Sequence, residues 1–81
     1  MENEKERKLK FAEDFMREFG YRLRDEGNVL GRTKEIVIKN GKGLITQPLV
    51  ETIEDLGYKF YYVDVSGIGE LQAHFRINED V

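Results

Sequence analysis

The amino-acid sequence predicts an α+β fold: a small two-layer sandwich in the order α-β-α-β-β, with a three-stranded mixed sheet and both helices on one face. Three patterns carry this prediction. Apolar residues recur every three or four positions over 5–26, β-branched residues cluster over 35–39, and apolar and polar residues alternate over 70–77. With 81 residues the chain is long enough for one core, so 1–81 is assigned to a single domain.

Two helices are expected from the apolar spacing and from the residues that bound them. The first covers 5–26 and ends at Gly27. The second covers 47–56, because Pro48 is tolerated in a first helical turn and Gly57 can end the helix. The apolar stripe of the first helix is interpreted as core, and it consists of Leu9, Ala12, Phe15 or Met16, Phe19 and Leu23.

Three strands are expected, over 35–39, 59–65 and 70–77. The first is interpreted as a buried strand, and the other two as an antiparallel hairpin closed by 66–69. A right-handed crossover through the second helix would leave the first two strands parallel, which makes the sheet mixed. Matching the apolar faces of the hairpin predicts a register that pairs Val65 with Leu71, Val63 with Ala73 and Tyr61 with Phe75.

Composition excludes several classes of protein. The chain has no cysteine, which excludes disulfides, thiolate catalysis and cysteine zinc sites. Its amino terminus is too polar for a secretory signal, and no apolar run reaches the ~18 residues of a membrane span. We therefore expect a cytoplasmic protein with no membrane partner. The abundance of glutamate and lysine also predicts a thermophilic source.

Catalytic and metal-binding signatures are absent from the sequence, which predicts a non-enzymatic protein with no cofactor. His74 is the single histidine and Ser66 the single serine, and neither has the companion groups of a nucleophilic site. Asp64 lies on the same predicted strand face as His74, but a metal site would need a third ligand such as Glu70. His74 is therefore interpreted as solvated or as buried in a dimer.

The basic residues are concentrated around one turn. Residues 28–47 contain four cations and one acid, a net charge of +3, whereas the whole chain carries −3. The turn from Asn40 to Gly43 allows two interpretations: Gly41 and Gly43 bring backbone N–H groups close to an anion, or they supply positive φ for a tight connection. The local sequence favours the second. The cations expected to contact phosphate are Arg32, Lys34, Lys39 and Lys42.

The same segment resembles two families of nucleic-acid-binding proteins. It is similar to the second strand, turn and second helix of Alba-type archaeal proteins, which implies an Alba-like fold and nucleic-acid binding. The stretch from Gly43 through Pro48 to Gly57 is also similar to swapped-hairpin AbrB-type proteins, which implies an intertwined homodimer with DNA-binding or antitoxin roles. The positions that match the Alba-type pattern are Ile36 to Lys39, Gly41 to Gly43, Ile45-Thr46 and Val50 to Glu54.

A second candidate surface is the polar face of the predicted hairpin, where Tyr62 is expected beside His74 and Phe60 beside Arg76. These side chains could stack on unpaired bases. They could instead form a homodimer interface, where aromatic residues and arginine are also enriched, and we favour this use. The predicted function is a small nucleic-acid-binding or regulatory protein, homodimeric, with DNA or RNA as partner. The alternative is an acidic homodimeric module that binds a protein partner and no nucleic acid.

Overall fold

The computed structural model of the chain describes residues 3–77. The predicted α+β class is confirmed, and within the described residues neither helix is long and apolar enough to cross a membrane. The single-domain prediction for 1–81 includes residues 1, 2 and 78–81, which lie outside the described residues. The elements are α1 (Glu4–Glu18), β1 (Tyr21–Leu23), β2 (Glu35–Asn40), α2 (Gln47–Glu54), β3 (Tyr58–Val65) and β4 (Leu71–Ile77).

The four strands of residues 3–77 form one antiparallel sheet in the order β1-β2-β4-β3. The predictions of a three-stranded mixed sheet and of the order α-β-α-β-β are therefore wrong. β2 and β3 run parallel, but β4 lies between them and pairs with both. β4, like β2, is an interior strand with buried residues on both sides: Ala73 and Phe75 on one side and Gln72 on the other.

Gly20 divides the predicted first helix into a helix and a strand. It adopts a φ of +77°, a left-handed conformation that an α-helix cannot continue. The last helical turn closes just before it, where the N–H of Phe19 donates to the carbonyl of Phe15 at 3.1 Å. Tyr21 and Leu23 then extend and pair with β2. The predicted helix over 5–26 is thus too long. Its last apolar residue, Leu23, lies in β1, the strand that the sequence did not predict.

Both helices cover the same face of the sheet. Ile36 and Ile38 of β2 and Phe75 of β4 point toward them and are buried, as are Leu49 and Ile53 of α2. Thr46 caps α2 by accepting a hydrogen bond from the N–H of Leu49 at 3.4 Å, and Pro48 occupies the first helical turn. The full set of buried core residues is Ala12, Met16, Tyr21, Leu30, Ile36, Ile38, Leu49, Ile53, Tyr58, Ala73 and Phe75.

A bulge at Tyr61 changes the register of the β3–β4 hairpin. Beyond it, the predicted pairs Val65–Leu71 and Val63–Ala73 are confirmed, as is the position of Tyr62 beside His74. On the other side of the bulge, the predictions that paired Tyr61 with Phe75 and Phe60 with Arg76 are wrong. Phe60 lies opposite Phe75 instead, because Tyr61 is an extra residue without an opposite partner. The bulge therefore moves Tyr61 to the other face of the sheet.

The long connection between β1 and β2 is held by one buried tyrosine. The hydroxyl of Tyr58 donates to the carbonyl of Thr33 at 2.7 Å and accepts from the N–H of Gly31 at 3.0 Å. Leu30 is buried in the core beside this pair of bonds. These contacts fix the loop that leads into β2, so they also position the first residues of that strand.

Candidate functional site

The sheet face away from the helices is not covered by another layer of residues 3–77, and we call it the open face. Its side chains alternate with those of the core along each strand. Most of them line an open groove of about 570 Å³, whose lining also includes Arg24 and Asp25, an ion pair at 3.3 Å. The open face consists of Arg22, Glu35, Val37, Lys39, Tyr61, Tyr62, Asp64, Gln72, His74 and Arg76.

The centre of the open face is a stacked pair of rings bound to a carboxylate. The ring of Tyr62 lies parallel to that of His74, with centroids 4.2 Å apart and planes 11° apart. Nε2 of His74 lies 2.9 Å from Oδ1 of Asp64, and the side-chain amide of Gln72 donates to the same oxygen at 3.0 Å. Because a carboxylate only accepts, His74 must donate from Nε2. Asp64, itself held by Gln72, thus fixes the imidazole that stacks on the tyrosine ring.

These bonds lower the pKa of the Asp64 carboxyl. The hydrogen bond from His74 is the largest cause, and the bond from Gln72 is the second. A carboxylate with a lowered pKa in the folded state stabilises the fold at pH values above its unfolded-state pKa near 4. That contribution is lost as the pH falls through the folded-state pKa.

We expect Asp64→Asn to make the free energy of unfolding less dependent on pH in this acidic range. Urea unfolding measured at several pH values from about 2 to 5 would show a shallower decrease than in the unsubstituted protein. His74→Ala should produce a similar change, because it removes the hydrogen-bond donor that is the largest cause of the shift. An unchanged pH dependence in both variants would contradict the assignment of these bonds.

A second aromatic cluster lies beside the first. The guanidinium of Arg76 donates from Nε to Glu35 at 2.8 Å and from Nη1 to the hydroxyl of Tyr61 at 3.3 Å. Its central carbon lies 5.5 Å from the centre of the Tyr61 ring, within the range of a cation–π contact. These contacts, with the Tyr61 bond as the largest cause, raise the pKa of Arg76. The arginine therefore stays charged and is held against an exposed aromatic ring.

In the turn that follows β2, backbone N–H groups donate to hydrogen-bond acceptors within the turn itself. Asn40 is buried, and its side-chain oxygen accepts from the N–H of Lys42 at 2.9 Å while its carbonyl accepts from Gly43 at 2.9 Å. Its side-chain amide donates to the carbonyl of Leu44 at 3.4 Å. Gly43 has a φ of +70°. Two N–H groups of this turn are thus used internally, which favours the structural interpretation of its glycines over the anion-binding one.

The cations predicted to act together are spread along β2. Lys34 precedes the strand and Lys42 follows it, at opposite ends of a segment about 20 Å long. Arg32 lies near the first end, in the loop before Lys34. Lys39 is on the open face, but its Nζ lies 3.8 Å from Glu70, whose second oxygen is 3.7 Å from Arg22.

The predicted aromatic residues are only partly brought together. Tyr62, His74 and Arg76 share the open face, as expected, whereas Phe60 packs edge-on against Phe75 at 5.5 Å on the side of the helices. Tyr61 takes the place that the sequence assigned to Phe60. The alternation of residues could not reveal this exchange, because it depends on the bulge.

Acidic residues of the open face were also missed as part of the site. Glu35 binds Arg76, and Asp64 binds His74. Glu70 faces both Lys39 and Arg22, and its buried Oε1 has no hydrogen-bond partner among residues 3–77. Alternation along the hairpin placed Asp64 and His74 on one face, but the pairs of Glu35 and Glu70 had no signal in the sequence, since opposed residues come from strands that are up to 41 positions apart (Glu35 and Arg76).

Within the described residues, no three histidine, aspartate or glutamate side chains come together as a set of metal ligands. Asp64 and His74 are adjacent, but Glu70 is directed at cations. Comparison with protein-family models, curated proteins and solved structures found no match to this chain. The geometry of the open face is therefore the basis for assigning a function.

Proposed function

We propose that the chain is a non-enzymatic protein that binds single-stranded nucleic acid on its open face. The observation that carries this proposal is the pair of neighbouring tyrosines, Tyr61 and Tyr62, whose side chains lie on the uncovered side of the sheet beside Arg76 and His74. They are 50% and 52% exposed. Stacking of a base on an exposed aromatic ring contributes ~1–3 kcal/mol and tolerates any base.

Electrostatics limits the contribution of phosphate contacts on this face. Arg76, Lys39 and Arg22 each face a carboxylate, so a phosphate would have to compete with Glu35 or Glu70. Binding to single strands should therefore depend weakly on salt, with a slope near that of one or two neutralised phosphates at ~0.7 each. Arg32, Lys34 and Lys42 lie at the ends of β2 and would contact the strand where it leaves the face. The Alba-type and AbrB-type resemblances stay predictions.

The test is fluorescence anisotropy with labelled single-stranded RNA, single-stranded DNA and duplex DNA. Tyr62→Ala is expected to weaken binding to single strands by about 5- to 150-fold, which corresponds to one lost stacking contact of ~1–3 kcal/mol. Phe11→Ala is the matched control, because Phe11 is an exposed aromatic residue on α1, far from the open face.

Three results would contradict the proposal. One is an absence of binding up to ~100 μM, a range in which non-specific binders are normally detected. Another is an equal loss of affinity in Phe11→Ala and Tyr62→Ala. The third is binding that is retained in Tyr62→Ala but lost in the double variant Lys39→Glu and Lys42→Glu, because this would assign the interaction to the basic turn.

A second candidate function is a homodimeric module that binds a protein partner. The observation that favours it is the edge of β3, which no other strand of residues 3–77 covers and where Val63, Val65 and the nearby hairpin residue Ile68 are exposed hydrophobic side chains. Residues 48–81 carry two cations and seven acids, a net charge of −5, which suits a partner with basic groups. Association through the apolar side chains of this edge would respond little to salt and would not require the Tyr62 ring, whereas contacts of the acidic residues with a basic partner would weaken as the salt concentration rises.

A further inference from the structure

We propose that β3 pairs antiparallel with β3 of a second copy of this chain, centred on Val63. This inference rests on the homodimeric state in the second candidate function and assigns the dimer's contact surface and register. β3 is the outermost strand of the sheet formed by residues 3–77, and it is eight residues long, whereas the opposite edge strand β1 has three. A long edge strand presents unpaired backbone groups to any strand that can align with it.

The hairpin turn shows which backbone groups of β3 point outward. The N–H of Ser66 donates to the carbonyl of Glu70 at 2.8 Å, so Ser66 and, by alternation, Asp64 direct their N–H and C=O groups toward β4. Val63 and Val65 must then direct theirs away from the sheet. An added strand would bind through these two residues.

The side chains at this edge are also unprotected. Val65 is 60% exposed and Ile68 is 81% exposed, although Val63 and Val65 are on the side of the sheet that the helices cover elsewhere. Edges that avoid pairing usually carry lysine, proline or a bulge. In β3 the lysine is Lys59 and the bulge is at Tyr61. Both lie before residues 62–65, so these four residues carry no feature that would prevent pairing with another strand.

The charge of Asp64 selects the register. Residues whose backbone groups point away from β4 must pair with the same kind of residue in the second copy. The two-fold axis that relates the two copies can therefore lie at Val63, Asp64 or Val65. An axis at Asp64 would place two carboxylates directly opposite each other, which is destabilising. An axis at Val65 would pair the strand with the turn that begins at Ser66, beyond the end of β3. An axis at Val63 places Val63 opposite its own copy and Asp64 opposite Tyr62, with no like charges opposed, and the regular pairing runs from 62 to 64 because Val65 then faces the bulged Tyr61.

The absence of cysteine from the chain allows a direct test by single-cysteine crosslinking. Val63→Cys, Val65→Cys and Ile68→Cys are oxidised separately, and the disulfide-linked dimer is quantified on a non-reducing denaturing gel. In the proposed register the two copies of residue 63 have Cα atoms about 5.5 Å apart, which suits a disulfide. The two copies of residue 65 are about 14 Å apart, which does not. We expect Val63→Cys to crosslink about tenfold or more above the other two variants, and this preference to vanish in concentrated guanidinium chloride.

Sedimentation equilibrium of the unsubstituted protein separates failure of the register from failure of the dimer. Crosslinking at 65 alone would indicate the axis at Val65 and overturn the proposal. A dimer that crosslinks at none of these positions overturns it as well, because the axis then lies at Asp64, where the two copies of residue 63 or of residue 65 are about 8 Å apart, or the dimer uses another surface. A monomer at all concentrations overturns both. Binding of single-stranded nucleic acid is measured independently and does not depend on any of these outcomes.

Discussion

Replacing Ile38 by alanine is expected to lower the free energy of unfolding by about 2–5 kcal/mol. Ile38 is fully buried in the middle of the sheet, opposite Leu23 of β1 and Ala73 of β4. Its side chain faces both helices, so removing three carbons leaves a cavity that the adjacent strands cannot close without breaking their pairing. For 81 residues, a typical total stability is about 4–12 kcal/mol, so this one change would remove a large part of it.

Urea denaturation followed by circular dichroism measures this loss. Ile68→Ala is the matched control, because it removes the same atoms from a residue that is 81% exposed at the tip of the β3–β4 hairpin. The control should change the free energy of unfolding by less than about 0.5 kcal/mol at protein concentrations where the chain is monomeric. If the two variants lost stability equally, the assignment of Ile38 to the centre of the core would be wrong.

Tyr58→Phe is expected to cost about 1–3 kcal/mol, although it removes a single oxygen atom. The substitution leaves the N–H of Gly31 and the carbonyl of Thr33 without the partner that both share. The phenyl ring would still fill the site, so the loss reports the hydrogen bonds and not a cavity. Tyr62→Phe is the control: the same atom is removed four residues along the strand, from a side chain on the open face. Equal losses in the two variants would contradict this role.

The same tyrosine should limit stability at high pH. Burial raises the pKa of Tyr58, and the bond from the N–H of Gly31 opposes this in part. Because the folded-state pKa lies above the unfolded-state value near 10, this group's contribution is complete below pH 10. It is lost as the pH rises through the folded-state pKa. The free energy of unfolding, measured by urea denaturation between about pH 9 and 12, should therefore decrease less with rising pH for Tyr58→Phe than for the unsubstituted protein.

Local signals in the sequence locate the elements better than they locate strand neighbours. β2 and α2 lie within two residues of their predicted bounds, because a β-branched run and a cap followed by proline act within a few residues. The first helix was predicted too long because Leu23 continues its helical spacing by coincidence, while the left-handed Gly20 ends it. The position of β4 between β2 and β3 depends on pairing between distant segments, which periodicity does not encode.

On the open face, too, local patterns in the sequence predict some positions, whereas others depend on how the strands pair. Tyr62, His74 and Arg76 could be placed on one surface from simple alternation, and the structure brings them together. Tyr61 could not, because the bulge that exposes it interrupts the alternation on which such a placement depends. The cations around the turn looked free in the sequence. Only the assembled sheet brings Glu70 between Lys39 and Arg22 and so reduces the positive field of that segment.

The pairing of β2 with β4 has a consequence for cooperativity. The chain consists of two halves with the same order, a helix followed by a hairpin, and this pairing of six residues on each strand joins them in one sheet. The single core mixes residues of both halves, with Ile36 and Ile38 of the first packed among Leu49, Ile53 and Phe75 of the second, so neither half completes a core alone. We therefore expect no partly unfolded state in which one half survives. Reporters placed in the first and second halves should lose their native signals at the same denaturant concentration.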